Sequence, residues 1–586
     1  MIVWNTKLVH TFVLLAIWAL CANCNPQRNA SPENSPGPCR AEPASDSRGL
    51  SYVTDSEDLN RLQNFFPKVL EANRKQFAGP STEIRGFGAG DAYPQIWLRD
   101  SGTIIPLARY TYAVDHLKSW LEEHLGFQQS DGQLYDWIAP GAKSNFIGAA
   151  PRVREVYSGK GSDGRPLKIS ADKNTTESDQ EPSAVNAAYQ IFSITGDGDW
   201  LRKKIKGRPV IDRLNDALEY LLKNRLDARH ELITAALTAD WGDVSPVYPD
   251  QRAIYLDQRT PLVVGIYTNA MFFNAAQQLA ELHRAVGNQT MADYWDHKSA
   301  RIKTSINKYL WQEDKGFYRI HLVLKAELPG APHDNSNIFA MGGNALAVLF
   351  HVADNDQARR IFEVVFKRKQ EHGVSTVAGT LLPAFPRGFF KHPGVSEEYV
   401  YQNGGQWDWF AGRLLLAQFE RGASRDAYRE LIEVGKKAVQ NNGLHEWHTL
   451  QGEGKGSRDY AGSAGVLGGA ISQGLFGVYL NHRALTLKVR LAERSGSVRL
   501  HEPATERHVA YEYCYEPGAG VIRVTYSSNF PNPGRIHILL PQNKVPDTVL
   551  VDNRTSTFEI ESVGDERYVV LGTDWSGHTL QIRLQN

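Results

Sequence analysis

Near residue 485 the spacing of apolar side chains changes from a helical period of about 3.6 to a period of two, and that change divides the chain. Upstream, Leu62, Phe66, Val69 and Leu70 recur at helical spacing from Leu59 until Gly79-Pro80 ends the pattern. Phe272, Ala275, Leu279 and Leu282 share one helical face, and after a break at Gly287 the pattern resumes through Tyr294, Ile302, Ile306 and Leu310. The same outline recurs from Asn186 through Phe192 to Gly196-Asp197, followed by an amphipathic stretch from Val210 to Leu222. Helical spacing continues in 345–350, 358–366, 409–419, 428–439 and 465–479, which predicts stacked helical hairpins, roughly ten to twelve helices in all. Downstream, Leu485, Leu487, Val489 and Leu491 alternate with Thr486, Lys488 and Arg490, and the alternation returns at 522–526, 536–540 and 580–584. The predicted order is therefore a mainly α region over 51–484 and a small β-sandwich over 485–586.

Lys plus Arg and Asp plus Glu both number 65, and no run of five like charges occurs, so the basic footprint that nucleic-acid binding requires is missing. The N-terminus carries Lys7 and His10, an apolar stretch from Phe12 to Cys21 and then small residues, the layout of a secretory signal peptide over 1–24. Secretion or a periplasmic location is the expectation. Cys21 and Cys24 also raise a lipid anchor as the one expected route to a membrane, although Trp18, Ala19 and Leu20 fit a lipobox badly. Residues 25–50, rich in Pro, Ser, Asn and Ala, read as a flexible linker. After cleavage Cys39 and Cys514 remain, either paired in an oxidising compartment or as free thiols. Sequons stand at Asn29, Asn174, Asn288 and Asn553.

Four segments carry residues suited to sugar chemistry. Tyr93-Pro94-Gln95-Ile96-Trp97-Leu98-Arg99-Asp100-Ser101 places an Arg beside an Asp at a loop end, a fork of donors next to an acceptor that matches vicinal hydroxyls, or else a helix cap. Leu237-Thr238-Ala239-Asp240-Trp241-Gly242-Asp243 offers Asp243 as a carboxylic acid, with Trp241 and Asp240 expected to raise its pKa by desolvation and like charge. Tyr401-Gln402-Asn403-Gly404-Gly405-Gln406-Trp407-Asp408-Trp409 supplies amides and aromatic rings, and Gly443-Leu444-His445-Glu446-Trp447 supplies a second carboxylate. Glu397 and Glu398 are rival carboxylates. His445 and His448 lack the spacing of a zinc peptidase and a third ligand, so no metal is assigned, and no fingerprint for a nucleotide cofactor fits.

Together these segments resemble those of inverting exo-glycosidases of the six-hairpin superfamily, such as glucoamylases and the glucosidase part of glycogen-debranching enzymes. The resemblance implies an (α/α)6 toroid followed by the β-sandwich, with Asp243 as general acid and Glu446 as general base. It also implies a sugar pocket built from Trp97, Arg99, Asp100, Asp240, Trp241, Gln402, Asn403 and Trp407, and no cofactor. An inverting pair stands roughly 6.5 to 9.5 Å apart to admit a water. The expected function is an exported exo-acting glycoside hydrolase whose partner is an oligosaccharide or glycoside. The rivals are an inverting disaccharide phosphorylase, a polysaccharide lyase and a non-catalytic carbohydrate-binding protein. The Trp447-His448 that follows Glu446 departs from the family's usual Phe-Asp-Gly, which leaves the sugar open.

Overall fold

A computed structural model describes residues 49–141, 153–325 and 334–585, so the expected signal peptide, most of the expected linker, Cys21, Cys24, Cys39 and Asn29 lie outside the described residues. The helices are α1 (Glu57–Leu62), α2 (Phe65–Asn73), α3 (Leu98–Ala108), α4 (Val114–Gly126), α5 (Gln180–Thr195), α6 (Gly198–Arg202) and α7 (Val210–Asn224). They continue as α8 (Ile266–Ala285), α9 (Gln289–Tyr309), α10 (Met341–Leu349), α11 (Asn355–Glu371), α12 (Asp408–Glu420), α13 (Ser424–Gln440) and α14 (Ala461–Gly469).

The breaks follow from the backbone. Gly196 ends α5 in the left-handed region at φ 69°, which a residue without Cβ adopts at no steric cost. Asp354 opens α11 with a reciprocal capping box to Gln357. The predicted first helix is two helices, because the chain turns at Gln63-Asn64, and it stops at Asn73 rather than at Gly79. Arg74–Ala78 instead pairs with Glu83–Phe87 as a hairpin whose turn holds the Gly79-Pro80 signal.

Two sets of helices differ in burial. Residues of α8 are buried around most of its circumference, and Asn269 there satisfies the backbone of Ile233 through both amide atoms. By contrast α13 buries one stripe, Tyr428, Leu431, Val434 and Ala438, and exposes charge on the other side. The packing order explains the difference. Helix α3 packs on α5, α5 on α8, α8 on α10, α10 on α12, α12 on α14, and α14 back on α3, while α4, α7, α9, α11 and α13 each contact one or two of these six. The α3–α14 approach is close enough that a Cβ on Gly465 would stand 2.3 Å from the Thr103 carbonyl oxygen, which accounts for the small-residue run Ser463-Ala464-Gly465.

From Val478 onward the chain is β. A seven-stranded and a five-stranded sheet hold the alternating residues, and Leu485, Leu487, Val489, Tyr511, Ile522 and Ile582 belong to one continuous core with the helices. The first described strand, Leu50–Thr54, pairs antiparallel with Gly496–Glu502, so residues 50–54 form a strand of the C-terminal sheet rather than the edge of a linker and helical region. Alternation over so short a stretch, far from its partner in sequence, carried no signal. Cys514 is disulfide-bonded, and the other three cysteines lie outside the described residues. No described helix is long and apolar enough to cross a membrane.

A buried ion pair ties the end of α3 to this sheet. Arg109 donates from Nε to Glu502 Oε1 at 2.8 Å and from Nη2 to the Leu480 carbonyl at 2.8 Å, and Thr505 donates to Glu502 Oε2 at 2.6 Å. Removing one member of a buried pair strands the other charge, so Glu502→Ala should destabilise the protein by about 3 to 5 kcal/mol. Thermal or urea unfolding checks this, and an unchanged midpoint would show the pair to be energetically idle.

Candidate active site

Loops that lead into α3, α5, α8, α12 and α14 converge on one cavity of ≈ 920 Å³. Trp97, Arg99, Asp100, Trp241, Asp243, Gln402, Trp407 and Glu446 all line it.

Trp97 is the residue before α3 and pairs in register with Trp137 across a short sheet, which fixes Arg99 and Asp100 in the first helical turn. The expected fork takes a different form. Arg99 Nη1 is held by Glu177 Oε1 at 3.0 Å and Asp179 Oδ2 at 2.9 Å, and its guanidinium faces the Trp409 ring at 5.6 Å. Asp100 accepts instead from the Tyr460 hydroxyl at 3.1 Å. The two side chains thus present separately to the cavity, each fixed by its own partner.

Asp243 leaves its loop through Gly242, whose φ of 112° places the turn against Gln402; a Cβ there would lie 2.1 Å from Gln402 Oε1. The Asp243 N–H donates to that oxygen at 3.2 Å, and Asp243 Oδ1 is buried with no hydrogen-bond partner. Burial pushes the Asp243 carboxyl above the usual carboxylate range, with Arg99 acting against it. The Trp241 ring packs on Trp407 at 5.0 Å, Trp409 at 5.4 Å and Phe410 at 4.4 Å. Asp240 is a correction. It is absent from the cavity lining and turns away to accept the Gly343 N–H at 2.6 Å, capping α10, so it neither touches the pocket nor contributes the expected like charge to Asp243. Asn403 is a second correction: its amide bonds to both backbone groups of Phe385 and to the Glu397 carbonyl, bracing a loop instead of lining the pocket.

Glu446 is set by its backbone N–H, which donates to the Ser457 carbonyl, and by two donors to its carboxylate. Tyr93 OH donates to Oε1 at 3.0 Å and the Ser457 N–H to Oε2 at 3.0 Å. Burial nevertheless raises the group to about 7, with Asp243 adding to the rise and the Ser457 and Tyr93 donors opposing it. Glu397 and Glu398, the rival carboxylates, are exposed and engage Arg387 outside the cavity lining. Among the described residues no group of three or more His, Cys, Asp or Glu is arranged to hold a metal.

Sequence reasoning missed Asp136, Asp172, Asn174, Glu177 and Tyr460 as lining residues. A signal existed for some of them: Glu177 precedes α5 and Tyr460 precedes α14, just as Trp97 and Trp407 precede α3 and α12. Asp136 and Asp172 sit at the ends of paired strands inside a loop and had none.

Because the Tyr93 hydroxyl holds the Glu446 proton affinity down, Tyr93→Phe should move the acidic limb of the pH–kcat/KM profile upward. A base must be ionised to act, so activity on the acidic side should fall roughly tenfold while the plateau changes less. A pH–rate profile of both proteins checks this; an unmoved limb would show that another group sets it.

The family model of the mannosylglycerate hydrolase MGH1-like glycoside hydrolase domain matches residues 93–463, a span that holds every cavity element described above. A comparison with curated protein sequences finds no match. Among solved structures, the α-L-rhamnosidase of Dictyoglumus thermophilum aligns with a TM-score of 0.59 at 11% identity, covering 92% of this chain and 50% of the rhamnosidase. The GH78 family rhamnosidase of Bacillus sp. GL1 aligns with a TM-score of 0.52 at 13% identity, covering 80% of this chain and 40% of its own. The GH63 mannosylglycerate hydrolase of Thermus thermophilus, solved with Tris, aligns with a TM-score of 0.50 at 15% identity over 70% of this chain and 100% of that one. The chain thus spans half or less of the two rhamnosidases, and at these identities the likeness is one of fold. With more than half of its length matched by the family model, the chain belongs to the MGH1-like glycoside hydrolases.

Proposed function

We propose that this glycoside hydrolase is exo-acting and removes one terminal sugar with inversion, Asp243 serving as general acid and Glu446 as general base. The observation that carries the assignment is a pair of carboxyls in one cavity, both raised by burial, of which Glu446 has a donor on each oxygen while Asp243 keeps one oxygen, Oδ1, without a hydrogen-bond partner. Glu446 receives two hydrogen bonds, which favour its ionised form and leave it able to take a proton from water. Asp243 keeps one buried oxygen without a partner, and desolvation raises its carboxyl against its own backbone N–H, Arg99 and Gln402, which favours the protonated form that a leaving oxygen needs. In the reaction the Asp243 proton passes to the glycosidic oxygen as the bond to the anomeric carbon breaks. Water attacks the opposite face of that carbon and gives its proton to Glu446.

The cyclic packing order of α3, α5, α8, α10, α12 and α14, with outer helices behind them, supports an (α/α)6 toroid carrying a β-sandwich. The wall of Arg99, Asp100 and Glu177 supports attack at a chain end, since a terminal sugar presents the hydroxyls it would bind. The family match favours a small glycoside such as mannosylglycerate over a polymer. Export is supported jointly by the N-terminal layout and the disulfide-bonded Cys514.

Incubating the purified protein with aryl glycosides and short oligosaccharides in phosphate-free buffer tests the reading. Release of single sugars without added phosphate is the expected result. Turnover only with phosphate would make it a phosphorylase, and binding without turnover would make it a carbohydrate-binding protein.

A further inference from the structure

Two carboxylate oxygens of the cavity wall outside the acid–base pair are buried without a hydrogen-bond donor, Asp136 Oδ1 and Glu177 Oε1; the second has the Arg99 guanidinium at 3.0 Å, while the cation nearest the first, Lys173, stands 3.8 Å away. Asp136 is 6% exposed and lines the cavity. Its backbone is tied on both sides: its carbonyl accepts the Leu98 N–H at 2.7 Å, beside Arg99, and its N–H donates to the Asp172 carbonyl at 2.9 Å. Its Oδ2 accepts the Asn174 N–H at 2.9 Å. Its Oδ1 is buried without a hydrogen-bond donor. Lys173 Nζ stands 3.8 Å from that oxygen, too far to donate, because it is committed to Gln180 Oε1 at 2.9 Å and Glu181 Oε1 at 3.0 Å.

The neighbouring wall carboxylates are different. Asp172 accepts from the Tyr255 hydroxyl at 2.8 Å and the Lys173 N–H at 2.8 Å, and Glu177 from Gln180 Nε2 at 2.8 Å with Arg99 beside it. An orphaned buried acceptor costs free energy unless a ligand donates to it. The charge balance narrows the ligand. Besides the acid–base pair, Asp100, Asp136, Asp172 and Glu177 face the cavity, while Arg99 beside them is already held by Glu177 and Asp179. Arg252, on an exposed part of the lining, is paired with Asp250, and His392 acts on Asp243.

Resting on the hydrolase reading above, we propose that Asp136 is a specificity-determining residue of the terminal-sugar subsite, where its free Oδ1 accepts one sugar hydroxyl and selects a neutral polyhydroxylated sugar over a uronic acid. Burial pushes the Asp136 carboxyl well above the usual carboxylate range, with Lys173 and Arg99 acting against the rise and Glu177 adding to it, which places Asp136 at the Arg99–Glu177 end of the cavity. A sugar carboxylate brought there adds a charge to a wall where burial already disfavours ionised carboxyls and where no cation is free to pair with it, and a deoxy sugar leaves the acceptor orphaned.

The test uses the full chain and aryl glycosides: a hexoside chosen by the panel above, its monodeoxy analogues and the matching hexuronide. For the wild type, one monodeoxy analogue should lose roughly 10- to 100-fold in kcat/KM, and the hexuronide should be cleaved at least about 100-fold more slowly than the hexoside. Asp136→Asn replaces one carboxyl oxygen by an amide donor and leaves a group that cannot ionise. It should lose roughly 10- to 100-fold on the hexoside, lose nothing further on that one analogue, and narrow the hexuronide gap. Equal losses of the variant on every analogue, or a wild type that cleaves the hexuronide as fast as the hexoside, would overturn the proposal. The wild-type comparisons need no variant, so a failure of Asp136→Asn to fold does not shelter the idea. A wild type inert on the whole panel would instead remove the hydrolase reading itself.

Discussion

Asp243→Asn should lower turnover on a glycoside with a poor leaving group by ~10² to 10⁴, because the leaving oxygen then departs without a proton. The substitution is nearly isosteric, the Asp243 N–H that bonds Gln402 is retained, and substrate binding should largely survive. A dinitrophenyl glycoside provides the diagnostic contrast. Its leaving group needs little protonation, so the variant should regain most of its rate on that substrate. Steady-state kinetics on both substrates measure this. A variant equally slow on both would show that Asp243 does something other than donate a proton.

Glu446→Gln should also cost ~10² to 10⁴ in turnover, and a better leaving group should not rescue it, because the missing step is activation of water. Full activity in this protein would overturn the mechanism. The same substitution has a consequence for stability. Burial raises the Glu446 carboxyl from 4.5 to about 7, so the folded chain holds that proton more tightly than the unfolded chain does. The resulting stabilisation is complete below pH 4.5 and is lost as pH rises through about 7. A neutral Gln does not titrate, so the variant should melt above the wild type at pH 8 and close to it at pH 4.5, the difference approaching about 3 kcal/mol. Such a gain with a loss of activity is what a strained functional group produces.

How much of this was legible in the chain depends on the range over which each feature is encoded. The helix faces and the alternating strands after Leu485 are written locally, in the period of apolar residues, and so are the breaks at Gly196 and Gly287. Asp243, Glu446, Trp97 and Trp407 were legible because each sits in a short run of unusual residues at a loop that enters a helix or the cavity. Asp240 was misread for a local reason as well: it stands three residues from Asp243, but capping α10 through Gly343, 103 positions away, claimed its carboxylate. Asn403 looked like a pocket amide and is a brace, since its partners at Phe385 and Glu397 are brought to it only by the folded loop. The strand Leu50–Thr54 and the acceptor at Asp136 depend on partners that spacing cannot name, Gly496–Glu502 in one case and Asn174 with Lys173 in the other.

In the proposed mechanism Asp243 and Glu446 act on opposite faces of one sugar, with a water between Glu446 and the anomeric carbon. Proton NMR of the first-formed product, recorded before mutarotation, reads that arrangement directly. The expected product has an anomeric configuration inverted relative to the substrate. A product of retained configuration would require one carboxylate to bond covalently to the sugar, and would contradict the mechanism.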